Sequence, residues 1–300
     1  MNRTRLTPID IIGITLGAMV LVVVIAAIAL VVRGRGFSHQ WDGPDMKGFW
    51  NERQFHHGGL REEKDQQIAG DFTAVEIRNI AGEITIHGGG GNGVGVHSVK
   101  TAMFPAAMEN LGVGIEKRGN RLVIEEQHTA GFVMSAGTVS FDITLPKGVT
   151  ILEAHSVSGS VTVRDVPAGM DQTLSTISGS ISTSLARNLE ASSTSGSVQF
   201  VFGGNRLDAH TVSGSIEGQV QSLDRGGSIS MRTVSGSVDV GAFPGLDASV
   251  SLQSVSGGVS CDFPLTATQQ RRNSLEGMIG TGAGRVEVTT TSGTITVRRM

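Results

Sequence analysis

The residues whose types and spacing invite a chemical reading are two acids, four histidines, one glycine run and one cysteine. Glu217 and Asp239 hold matching positions in successive copies of a repeated phrase, so they would face each other across one repeat interval. A polysaccharide-cleaving enzyme needs two carboxylates, or a carboxylate with Arg, converging within several ångströms. Two acids on a face otherwise made of Ser, Thr and Gln are read instead as solvated, and no catalytic residue is assigned. His155 and His210 share a second matching position but stand three repeats apart, about 14 Å at 4.8 Å per repeat, too far for one metal ion. His56 and His57 are adjacent and able to touch a metal, yet they sit in a stretch of Gly and charge where adjacent histidines are read as solvated. "GGGGNG" (88–93) satisfies GxGxxG, but the following "VGVHSVK" alternates like a strand where a phosphate site needs a helix N-terminus. It is read as a hairpin connection. Neither a G-x-S-x-G elbow nor a GxxxxGK[ST] loop occurs, and the Asp that a GGxGxD calcium repeat requires is missing. Cys261 is the one cysteine of the chain, which excludes an intrachain disulfide and a multi-cysteine zinc site. No cofactor and no metal are expected. With 24 basic against 27 acidic side chains, charge selects no nucleic-acid partner.

The elements that would position these residues are repeats. Setting the phrases "HSVSGSVTV", "STISGSIST", "SSTSGSVQF", "HTVSGSIEG", "RTVSGSVDV", "QSVSGGVSC", "TTTSGTITV" and the divergent "RNIAGEITI" in register aligns Gly159, Gly179, Gly196, Gly214, Gly236, Gly257, Gly293 and Gly82. The first six are separated by 20, 17, 18, 22 and 21 residues. Two positions after each glycine is Val or Ile, and three after is polar, the period of a half-buried strand. Two before is Val, Ile or Thr, taken as inward-facing; five before is apolar, also inward. The polar residues four and three before the glycine, such as His155-Ser156 and His210-Thr211, then read as two consecutive outward residues at a corner.

A strand-corner-strand unit of about 20 residues cannot bury its apolar face alone, so copies must stack. The expectation is an all-β, single-stranded parallel β-solenoid over 71–300, roughly 11 coils and on the order of 50 Å long at 4.8 Å per coil. Glycine is placed where its parity would point a side chain into a narrow interior, and the flanking serines lie outward and pair hydroxyls between coils. Cys261 takes the slot that Val163, Val240 and Val297 fill elsewhere, so it reads as a small buried hydrophobe. Glycine is 42 of 300 residues, about twice the usual share, and Tyr is absent, which suits a narrow core of small β-branched side chains.

The N-terminal part is different. After a ten-residue tail, residues 11–32 carry no charge, and 22 residues at about 1.5 Å each reach roughly 33 Å, enough to cross a bilayer core. A transmembrane helix acting as an uncleaved signal anchor is expected. Ala27-Ile28-Ala29 resembles a cleavage site, but Leu30, Val31 and Val32 continue the apolar run. Arg3 and Arg5 nearly balance Arg33, Arg35 and Lys47; a cytoplasmic N-terminus with the body outside the cytoplasm is favoured. Gly13 and Gly17 form a GxxxG that can bring two helices together. Residues 33–70 are read as a juxtamembrane linker ending in a cap.

"FTAVEIRNIAGEITIHG" (72–88), "VSFDITLPKGVTILEAHSVSGSVTV" (139–163) and the later SGS copies resemble the bacterial "putative adhesin" domain, a family of unknown function, over about residues 70–298. The strand ending Leu145-Pro146-Lys147-Gly148 ahead of the tandem V-S-G-S-V phrases is its most specific part. The resemblance implies a β-helix-like fold in a cell-envelope protein, often membrane-linked, and brings no catalytic motif. The function expected is a membrane-anchored, non-catalytic surface for adhesion or scaffolding. Its partners would be glycans, peptidoglycan, another envelope protein or a second copy of itself. The alternatives are a sensor of envelope stress that signals through a membrane partner, and a polysaccharide-active enzyme.

Overall fold

The computed structural model describes residues 59–128 and 137–300. The expected transmembrane helix, Gly13, Gly17, His56 and His57 lie outside the described residues. Among those described, no helix is long and apolar enough to cross a membrane.

The chain forms β1 (Leu60–Ile68), β2 (Ala74–Ala81), β3 (Ile84–Gly88), β4 (Val94–Ala102), the short helix α1 (Pro105–Asn110), β5 (Leu111–Arg118), β6 (Arg121–His128), β7 (Gly137–Leu145), β8 (Ile151–Ser158), β9 (Val161–Arg164) and β10 (Met170–Ser178). Three long strands follow, β11 (Ile181–Ser195), β12 (Val198–Ser213) and β13 (Ile216–Ser235). The last are β14 (Val238–Ala242), β15 (Ala248–Ser256), β16 (Val259–Cys261), β17 (Thr266–Arg271), β18 (Ser274–Ile279), β19 (Gly284–Ser292) and β20 (Ile295–Arg299). They make two sheets that meet at the glycines. Strands running up to a glycine form an approach sheet in the order β5-β6-β2-β8-β10-β11-β12-β13-β19-β15-β18-β17. Strands leaving a glycine form a departure sheet, β1-β4-β7-β3-β9-β11-β12-β13-β14-β20-β16. Each long strand serves both: its first residues belong to the departure sheet and its last to the approach sheet of the next rung.

The repeats pair in parallel and in register, as stacked rungs require. Three corrections to the sequence reading follow. First, there are eight glycine-marked rungs rather than about 11 coils, because the rest of the domain turns antiparallel at the ends: β5 on β6, β4 on β7 and β1 on β4 at one end, β18 on β15 and β17 on β18 at the other. The strand β1 falls within the stretch expected as a linker ending in a cap. Second, rung order departs from chain order. The Gly236 amide donates to Ser292 O (2.9 Å) and the Gly293 amide to Ser256 O (3.2 Å), so the Gly293 rung sits between those of Gly236 and Gly257. The chain builds the outermost rung, turns back through β17 and β18, and inserts β19 and β20 behind it. Third, "GGGGNG" is not a hairpin: β3 and β4 flank β7 and do not pair with each other, so this loop crosses the end of β7, where the Gly89 amide meets Leu145 O (2.7 Å).

Parity is also corrected at the corner. The residues three before the glycine are inward and buried: Asn79, Ser156, Thr176, Ser193, Thr211, Thr233, Ser254 and Thr290. Those two before, Val157, Ile177 and their equivalents, face outward, with Val255 46% exposed. The break in alternation therefore falls at Ser-Gly-Ser itself. Six of the seven inward hydroxyls are satisfied by the adjoining rung, and the seventh, Ser156, has no partner. Thr176 Oγ1 donates to Gly159 O (3.1 Å), Ser193 Oγ to Gly179 O (3.0 Å), Thr211 Oγ1 to Gly196 O (2.9 Å) and Thr233 Oγ1 to Gly214 O (3.0 Å). Thr290 to Gly236 O (3.0 Å) and Ser254 to Gly293 O (2.9 Å) continue the ladder in spatial order. A buried polar group costs little once paired.

The glycines form one column along the stack, and the reason is close approach rather than interior volume. A Cβ on Gly159, Gly179, Gly196, Gly214, Gly236, Gly293 or Gly257 would fall within 3.0 Å of the glycine carbonyl on the adjoining rung, and on Gly82 within 3.0 Å of Val139 O. Backbone packs on backbone there, and no side chain fits. Inside, apolar columns from both sheets meet: Leu152, Leu189, Leu207 and Ile229 from the approach sheet, Val161, Ile181, Val198 and Ile216 from the departure sheet, all buried. Gly218 leaves the room that the Phe200 ring on the next strand fills.

Candidate functional site

The departure sheet turns its polar columns outward, and where the regular rungs give way to the terminal ones they line a shallow open groove of about 640 Å³. Strict register places Gln199, Glu217, Asp239 and Thr296 side by side on β12, β13, β14 and β20, and Val201, Gln219, Gly241 and Arg298 in the parallel row. Gly241 contributes no side chain, and Met300 closes over it. The two acids singled out in the sequence are thus brought together on adjacent strands. Asp239 is engaged by Arg298, whose Nε donates to Oδ1 at 3.0 Å and whose second nitrogen meets Oδ2. Both partners are about half exposed, so this pair is a surface ion pair worth at most about 1 kcal/mol.

The groove suits hydrogen bonding more than catalysis. A carboxyl acting as general acid is held protonated in an apolar, water-poor pocket. Glu217 stands exposed on an open face and Asp239 is neutralised by a guanidinium. What the groove offers is two amides, two carboxylates and a guanidinium at rung spacing, a set that matches hydroxyl- and amide-bearing partners.

The other singled-out residues are separated. His155, on the outer face of the approach sheet, contacts Ser175 Oγ through Nδ1 (2.7 Å), and burial pushes its pKa down. His210 sits three rungs away against Asp208. Burial opposes the Asp208 charge, but the hydrogen bond from His210 and the positive charge around it outweigh burial and hold the carboxyl below its ordinary range. Among the described residues no three His, Cys, Asp or Glu side chains cluster as a metal site would require. Cys261 is half-buried on the outermost rung, and burial pushes its thiol pKa up, away from thiolate chemistry.

Two structural carboxylates escaped the sequence reading. Glu126, its side chain buried, accepts the Ile80 and Ala81 amides on Oε2 (2.7 and 2.9 Å) and meets His128 Nε2 on Oε1 (2.9 Å). It supplies, at the first rung, the acceptor that interior rungs receive from a neighbour. Asp247 binds the crossing loop between β18 and β19, accepting the Thr281, Gly282 and Ala283 amides (2.7, 2.7 and 3.2 Å) and the Thr281 hydroxyl (2.7 Å). Nothing in the repeat pattern marks either. A third feature, Gln172 hydrogen-bonded to Thr183 inside the Gly179 rung, places a polar pair where other rungs carry Leu and Val; it was visible as two polar residues in apolar columns.

Several solved structures are similar to this chain. One described as a "putative adhesin" from Bacteroides fragilis matches at 13% identity with a TM-score of 0.43, covering 79% of this chain and 97% of that one. Another described as a "putative cell adhesion protein", from Clostridium sporogenes, matches at 10% identity and a TM-score of 0.39, covering 80% and 100%. A "putative adhesin" from Parabacteroides distasonis matches at 12% and 0.39, covering 81% and 98%. Comparison with curated proteins found no match. Residues 200–298, a third of the chain, match the family described as Toastrack DUF4097.

Proposed function

We propose that this protein is a non-catalytic binding scaffold of the cell envelope, held to the membrane by residues 11–32, with its body outside the cytoplasm. The observation that carries the reading is the glycine column: because each rung's backbone rests on the next, the outer columns of Gln, Glu, Asp, Ser and Thr are held at a constant interval. A rigid ruler of weak polar groups favours a repetitive partner, since many modest contacts at high effective concentration sum to avidity. Glycan strands, peptidoglycan and a repetitive envelope protein are the partners that fit.

The test is retention of full-length protein on purified peptidoglycan and on immobilised envelope glycans, wild type against a Gln199→Ala, Gln219→Ala, Glu217→Ala triple variant. Retention of wild type with a clear loss in the variant supports the reading; hydrolysis of either material on incubation would replace it with the enzyme. A C-terminal reporter active only outside the cytoplasm tests orientation, and silence there beside signal from a cytoplasmic reporter reverses it.

A further inference from the structure

The first-rung end of the domain carries an exposed apolar patch that the stack does not use. β4 ends at Ala102, and the chain crosses from the departure sheet to the approach sheet through Met103, Phe104 and α1, whose Ala107 is buried beneath it. Met103 is 76% exposed and Phe104 42%. Leu60, 43% exposed, lies opposite Ala102 in register, one residue short of Met103. Three of the large exposed hydrophobics of the domain therefore gather at one corner, where a strand of otherwise charged residues begins.

That corner is also where the N-terminal part of the chain joins the domain. Gly59 is the first described residue, and 26 residues separate it from Val32, the last of the uncharged run. The patch thus lies at the mouth of the tether, facing whatever that tether is fixed to. Arg61 pairs with Glu63 (2.6 Å) and Lys100 with Glu62 (3.0 Å), and α1 adds the exposed Glu109, so the corner presents apolar surface without a basic field. We infer that Leu60, Met103 and Phe104 form a bilayer-contact surface, dipping into the interfacial region of the membrane that holds residues 11–32 and standing the stack on its first-rung end. Leu, Phe and Met are apolar side chains of the kind that a membrane-interface surface buries, and a tethered domain requires only a small apolar surface to stay down. The inference rests on the membrane anchoring proposed above. Because no net positive charge is involved, contact is independent of anionic lipid.

The test uses full-length protein with Cys261→Val and a single new cysteine, Met103→Cys or Gln270→Cys, the latter on β17 at the opposite end, each labelled with an environment-sensitive fluorophore. Proteins are reconstituted into phosphatidylcholine vesicles with and without nitroxide-bearing lipid. The expected result is several-fold quenching by nitroxide lipid at 103, none at 270, and loss of the quenching at 103 when Phe104→Ser and Leu60→Ser are added. Equal quenching at the two positions in protein that floats with vesicles overturns the patch while leaving the anchor standing. Failure to float overturns the anchor and the patch together. A label at 103 shielded from aqueous iodide yet untouched by nitroxide lipid means that protein covers the corner, and also overturns it.

Discussion

The middle of this stack and its two ends solve one problem by different chemistry. In the middle, every rung has a copy of itself on either side, so amide, carbonyl and hydroxyl are satisfied by the same three positions from the Gly179 rung to the Gly293 rung in spatial order. At the ends the neighbour is missing, and unrepeated devices take its place: the Glu126 carboxylate on the amides of Ile80 and Ala81, the Asp247 carboxylate on the β18–β19 loop, and antiparallel strands rich in charge, as in "LREEKDQQI" of β1. Charged edge strands also discourage end-to-end pairing with another molecule. Regularity is thus cheap in sequence information, and termination is expensive.

The comparison breaks most readily in the middle. Gly196→Ala forces a Cβ into the carbonyl of Gly179 and should cost about 4 kcal/mol or more, enough to unfold a marginal domain, whereas Gly258→Ala, with open space around it, should stay within about 0.5 kcal/mol. Chemical denaturation followed by circular dichroism reads both; equal effects would mean the column is not a contact. Next, Thr211→Val leaves Gly196 O without its side-chain donor and should cost about 1–2 kcal/mol, while outward Thr194→Val should be close to neutral. The inverse case is Ser156→Ala: its buried hydroxyl has no partner, since Asn79 takes Gly82 O, so removing it should be neutral or stabilising.

The devices that close the ends should respond to pH. The hydrogen bond that His128 donates to the Glu126 carboxylate, opposed by partial burial, raises the His128 pKa above its ordinary value. The imidazolium contribution is therefore fully present below about pH 6.5 and lost as pH rises through the raised value. A His128→Gln variant should flatten that dependence in thermal melts between pH 5 and 9. The smallest effect is at Asp247, whose carboxyl the Thr281 hydroxyl, and then the loop amides, hold below its usual range. Its contribution is present above the ordinary carboxyl value and fades as pH falls through the lowered one; Asp247→Asn should reduce the acid sensitivity of proton exchange in residues 280–283 with little change in melting at neutral pH.

Much of the architecture was legible because repetition turns a weak local pattern into columns. The residues two after and five before each glycine read correctly as inward, and Glu217 and Asp239 were correctly set side by side. The columns three and two before the glycine were exchanged, for a reason that composition hides: Thr176 or Thr211 looks like an outward residue until its hydroxyl is seen to have a carbonyl waiting inside, and Val157 or Val212 looks inward although it covers the outside of the corner.

What the amino-acid sequence determined alone is the rung: β-branched residues at period two, polar hydroxyls at a set distance, and a glycine where two backbones must touch. These are local preferences, repeated until they agree. What only the tertiary structure decided is the succession of rungs, with the Gly293 copy slipped between those of Gly236 and Gly257, and the two carboxylates that close the ends. Near-identical rungs can stack in either order, so local pattern does not distinguish them; the choice falls to the crossing loop, the β17–β18 turn and Asp247, contacts that exist only once distant parts of the chain have met.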